Sequence, residues 1–101
     1  MNLLKNFNRL GGFLNKMENE TRVAVMSIIV EDAEKKNSVE ALNAILHEYS
    51  DFIIGRMGLP YKAKKINIIS IALDAPQDVI SALSGRIGNL GGVSVKTAFS
   101  K

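Results

Sequence analysis

Two stretches of this chain are apolar almost without interruption. Arg22 to Glu31 reads RVAVMSIIVE and Lys65 to Leu73 reads KINIISIAL. Runs this short and this rich in Val and Ile suit strands better than helices. They carry apolar side chains at both alternating sets of positions, the pattern of strands buried on both faces of a sheet. Each is also followed closely by a segment of helical periodicity. A chain with two such pairs is constrained to a layered arrangement in which helices cover a sheet.

The remaining segments fit that arrangement. A helix is expected over Asn37 to Tyr49, with Asn37 as cap and Glu40 closing a capping box. Val39, Leu42, Ile45, Leu46 and Tyr49 fall on one side of it. Phe52 to Pro60 reads as a second strand, and Gly55, Gly58 and Pro60 suit an edge where a bulge or a missing donor is tolerated. Tyr61 to Lys64 is a polar turn before the third strand. Asp74 and Gln77 repeat the capping-box spacing, with Pro76 in the first turn of a second helix. That helix aligns Val79, Ile80, Leu83, Ile87 and Leu90, and Gly91 and Gly92 stop it. Val93 to Phe99 alternates as a last strand.

The order is βαββαβ, so the expected fold is α+β and ferredoxin-like (ACT-like), a four-stranded antiparallel sheet with two helices on one face. Right-handed crossovers place the first and third strands in the middle. Two helices cover one face only, so half of the apolar side chains on those strands need another partner. A homo-oligomer, a dimer or higher, formed through the sheet is the expected cover.

Composition narrows the function. The 101 residues contain no cysteine, which fits a reducing, cytoplasmic setting and removes thiolate chemistry. No run approaches the roughly 20 apolar residues of a membrane span. The net charge of +3 comes from Lys5, Arg9 and Lys16, because residues 17–101 hold ten basic and ten acidic side chains. A neutral domain lacks the footprint of a nucleic-acid binder, so no direct contact with nucleic acid is expected. The lysines at 62, 64 and 65 read as a solvated loop. Residues 1–21 read as an N-terminal extension, a loose amphipathic helix with Leu3, Leu4, Phe7, Leu10 and Leu14 on one face, weakened by Gly11 and Gly12. The βαββαβ domain is expected over 22–101.

Residues able to do chemistry are few. His47 is the single histidine and falls with Glu40 and Asn43 on the polar side of its helix. One histidine without cysteine cannot build a nitrogen- and sulfur-rich metal site. Glu31, Asp32 and Glu34 read as a solvated acidic loop. No serine or threonine has a histidine placed as its base, and no phosphate-binding glycine loop is present. The expectation is no catalytic residue, no metal and no cofactor. Arg56, Gly58, Tyr61, Ser84 and Arg86 stand out as interface or ligand candidates, because they lie in two glycine-containing segments that composition does not explain.

Those two segments also carry a resemblance. IIVED (28–32), IIGRMGLPYK (53–62), INIISIALDAP (66–76), DVISALSGRIG (78–88) and GGVSVKTAFSK (91–101) resemble the regulator family of the iron-only hydrogenase system, small ACT-like proteins. The resemblance runs from about Arg22 to Lys101. It implies an ACT-like fold, oligomerisation through sheets, and a regulatory role in which a small molecule or a hydrogenase maturation protein is bound. Family members begin near the position of Met17, so residues 1–16 lie upstream of the usual start. The fold is also similar to the metal-sensing half of nickel-responsive repressors, but the histidine and cysteine ligands of that half are missing here. The glycine that amino-acid-binding ACT domains use in the first loop is missing from Glu31 to Lys36 as well. A regulatory module is therefore expected, with a metal-responsive accessory protein of metalloenzyme maturation, or an enzyme, as the alternatives.

Overall fold

A computed structural model describes residues 20–31 and 36–101. Of the expected N-terminal extension at 1–21, residues 1–19 lie outside the described residues, as do the loop carboxylates Asp32 and Glu34. The elements are β1 (Arg22–Val30), α1 (Lys36–Glu48), β2 (Ile53–Tyr61), β3 (Ile66–Ala75), α2 (Gln77–Gly88) and β4 (Val93–Phe99), with one-turn 3-10 segments at Ser50–Phe52 and Lys62–Lys64. The strands form one antiparallel sheet in the order β2-β3-β1-β4, so the two most apolar strands are central. This is the ferredoxin-like α+β architecture.

The core lies between the sheet and the helices. Ala24, Met26, Ile28 and Val30 of β1 and Ile69, Ile71, Leu73 and Ala75 of β3 meet Leu42, Ile45 and Leu46 of α1 and Ile80, Leu83 and Ile87 of α2. These are the sets that strand alternation and helical spacing align. Val39, Tyr49, Val79 and Leu90 pack half-buried at the margins.

Both expected capping boxes are corrected. Lys36 opens α1, so Asn37 sits inside the first turn instead of ahead of it, and the nearby Ser38 hydroxyl donates to the Gly91 carbonyl at 2.6 Å. In the second case β3 runs on to Ala75, which pairs with Arg22, and Asp74 stays in the ladder opposite Val23. Pro76 is the cap residue and makes no side-chain bond, while Gln77 turns to Arg22 and Ser81. Sheet pairing outcompetes a local cap here because it satisfies backbone groups across the strand end.

The α2–β4 connection depends on a glycine. The helix ends at Gly88, not at Gly91, and Gly92 adopts φ +74°. The Glu31 amide donates to the Gly92 carbonyl at 2.6 Å, and a Cβ on Gly92 would approach the Glu31 carbonyl oxygen to 3.3 Å. Gly92→Ala is therefore expected to destabilise the fold by about 1–2 kcal/mol through its left-handed backbone. A lower urea midpoint at unchanged slope is the measurement that checks it.

The strands are not buried on both faces. Val23 and Val25 are each 43% exposed on the side away from the helices. Cross-strand register places Gly55, Ala72, Val25 and Ala98 in one row of that open face, and Leu59, Ile68, Ile29 and Ser94 in another. Between them runs a row of Met57, Ser70, Ser27 and Lys96. No described helix lies over these rows. Among the described residues no helix is long and apolar enough to cross a membrane.

Candidate functional site

The described arginines differ in how fully their side chains are engaged. Arg22 donates to the side-chain Oε1 of Gln77 at 2.6 Å and to the Ser100 backbone carbonyl at 3.4 Å, and its guanidinium lies 4.3 Å from the Phe99 ring centroid. Arg86 on α2 grips Glu48 at the end of α1 with two hydrogen bonds, 2.6 and 3.3 Å, and lies 5.7 Å from the Tyr49 ring centroid. That pair ties the two helices together. The Arg86 hydrogen bonds, and secondarily its charge, hold the Glu48 carboxyl below its ordinary value of 4.5. The pair's contribution is therefore present above the ordinary carboxylate range and is lost as pH falls through the lowered value. Arg86→Met is expected to return Glu48 to the ordinary range, which carboxyl titration by NMR would register.

Arg56 is different. Among the described residues it makes one hydrogen bond, from Nη2 to Asn43 Oδ1 at 3.3 Å, and no carboxylate is within ion-pair distance. Its position is set by a bulge. Ile53 pairs with Leu73 and Gly55 with Ala72, leaving Ile54 as the extra residue. Simple alternation from Ile53 would send a side chain three residues later to the other face. The bulge instead sets Arg56 opposite Ile71, on the helix side. There it lines a cleft of about 300 Å³ between α1 and β2 with Asn43, Leu46, His47, Ser50 and Ile53.

The remaining sequence candidates are spread around the fold. Gly58 follows two residues later on the same face of β2, in open space, and Tyr61 is on the opposite face, 47% exposed. Ser84 lines a separate groove of about 390 Å³ between α2 and β4, with Gln77, Ile80, Ser81, Gly85, Thr97 and Phe99. A Cβ on Gly85 would meet nothing within 4 Å, so close packing of helix on sheet does not require this glycine. Arg56 and Ser84 thus belong to different clefts, and Arg86 is held by Glu48.

Sequence reasoning did not join Asn43, His47 and Ser50 to Arg56. The 43/47 spacing put two of them on one helix side, but nothing local placed the arginine across from them. Among the described residues, no group of three or more His, Cys, Asp or Glu side chains converges as a metal site would require.

With this geometry in hand, comparisons with known proteins decide the family. The family model described as "TM1266-like: Iron-only hydrogenase system regulator, putative" matches residues 22–97. The uncharacterized protein TM1266 from Thermotoga maritima is 36% identical, with a TM-score of 0.78 over 81% of this chain and 100% of its own. This chain belongs to the TM1266-like family. Two more distant structures share the fold alone. A formyltetrahydrofolate deformylase from Pseudomonas putida is 11% identical, TM-score 0.55, over 75% of this chain and 28% of its own. A protein of unknown function from Galdieria sulphuraria is 16% identical, TM-score 0.55, over 81% of this chain and 46% of its own. A search of curated proteins finds no match.

Proposed function

We propose that this TM1266-like chain is a non-catalytic regulatory module of the iron-only hydrogenase system that self-associates through its open sheet face and senses a small ligand. Family membership supports the regulatory role. The observation that carries self-association is the apolar surface of the open face, where Val23, Val25, Met57 and Leu59 are between 43% and 64% exposed. Burying side chains of this kind is worth roughly 1.5–3 kcal/mol each. Four strands at about 4.8 Å spacing, by about eight residues at roughly 3.3 Å, span some 20 by 25 Å. Two such faces pressed together approach the lower end of stable interfaces, which start at roughly 1,200 Å² in total. A two-fold pairing needs no dedicated partner, because the same patch serves both copies.

The direct test of assembly is size-exclusion chromatography with light scattering at micromolar concentration, where a mass about twice the 11.0 kDa of one chain is expected. A mass of 11.0 kDa would overturn self-association. The regulatory role is tested by co-purification from the native cell, with mass spectrometry of captured proteins and small molecules. Recovery of a hydrogenase maturation protein or a defined ligand supports the role. A stoichiometric transition metal in protein purified without chelators would replace it with metal-responsive function.

A further inference from the structure

We infer that the cleft between α1 and β2 is a binding site for a small oxyanion, a carboxylate or phosphate group held by Arg56. The inference rests on the ligand-sensing reading above and gives that ligand a chemical class. A guanidinium offers five N–H donors in a rigid fork that matches two oxygens of an oxyanion. Arg22 and Arg86 have that capacity engaged by Gln77, Ser100 and Glu48. Among the described residues, Arg56 gives a single long hydrogen bond, to Asn43, which orients the guanidinium while leaving most of its donors for another group.

The surroundings suit an anion. His47 and Ser50 line the same cleft and add donors, while buried Leu46 and half-buried Ile53 form an apolar floor. Glu48, the neighbour of His47 in the chain, is bound to Arg86, so it does not compensate Arg56. Among the described residues, no carboxylate lines the cleft. A volume of about 300 Å³ is at the lower limit for ligand pockets and is enough for a small oxyanion. An edge arginine that only discourages aggregation would need none of these neighbours.

Amide and arginine Nε resonances of the full chain should be followed by NMR during titration with inorganic phosphate and, separately, with succinate, at ionic strength held constant with chloride. Saturable shifts confined to Asn43, His47, Ser50 and Arg56 are expected with at least one probe, and which probe saturates distinguishes phosphate from carboxylate. Arg56→Gln, at an exposed position that leaves the spectrum dispersed, should weaken binding at least tenfold. Shifts that stay linear with both probes, or R56Q affinity equal to that of the parent chain, would overturn the site. Full affinity in R56K would overturn recognition by the fork, because an ammonium supplies charge without two-point geometry. Loss of oxyanion binding in an intact dimer that still captures a hydrogenase partner would remove this inference alone and leave the regulatory role standing.

Discussion

Val25→Glu combined with Leu59→Glu is expected to halve the measured mass of the protein, from about twice 11.0 kDa to that of one chain. Both side chains already face water in the single chain, at 43% and 55% exposure, so the fold tolerates the change. They belong to the two apolar rows on either side of Ser27 and Ser70, and a two-fold pairing would bury four new carboxylates per dimer. Burying an unpaired carboxylate costs several kcal/mol, more than the side chain it replaces contributes. The expected result is a dissociation constant weakened at least a hundredfold, with the circular dichroism of the folded chain retained. Melting temperature should also lose its dependence on protein concentration in the variant, since folding and association are no longer linked. An unchanged mass would show that the open face is not the interface.

Ile71→Ala should cost the fold about 2–5 kcal/mol, more than Gly92→Ala. Ile71 is fully buried on a central strand, opposite Met26 on β1 and Arg56 on β2, beneath the helices. Removing three carbon atoms leaves a cavity that neighbours on two strands and two helices cannot all close, because interiors are already packed tightly. Set against a typical total of about 5–15 kcal/mol, such a loss brings a chain this small close to unfolding. Ile71→Val, which removes one methylene, should lose about 0.5–1.5 kcal/mol and serves as the graded control. Urea denaturation at fixed protein concentration measures both. Equal midpoints for the two variants would contradict a packed role for this side chain.

The layers of the fold were legible in the chain. Helical spacing selected Leu42, Ile45, Leu46, Ile80, Leu83 and Ile87, all of them buried, because a 3.6-residue period leaves only one side of each helix to face a sheet. Two apolar strands went to the sheet centre for a similar reason, since central strands alone have neighbours on both edges. The surplus of apolar residues on their second face also followed from alternation. Local chemistry was less reliable at element ends, where Asn37 matched a capping pattern but lies inside α1, and Asp74 matched one that sheet pairing overrode.

The cleft, by contrast, exists only once the chain has folded. Arg56 reaches the helix side because an extra residue at Ile54 shifts the register of β2 against β3, and register is a property of two strands at once. The same holds for Glu48 and Arg86, 38 residues apart, whose pairing separates an engaged guanidinium from one left with donors to spare. Periodicity in a sequence records which face a residue occupies relative to its neighbours in the chain. It carries no record of which distant residues the finished sheet and helices bring opposite, and the α1–β2 cleft is made of such residues.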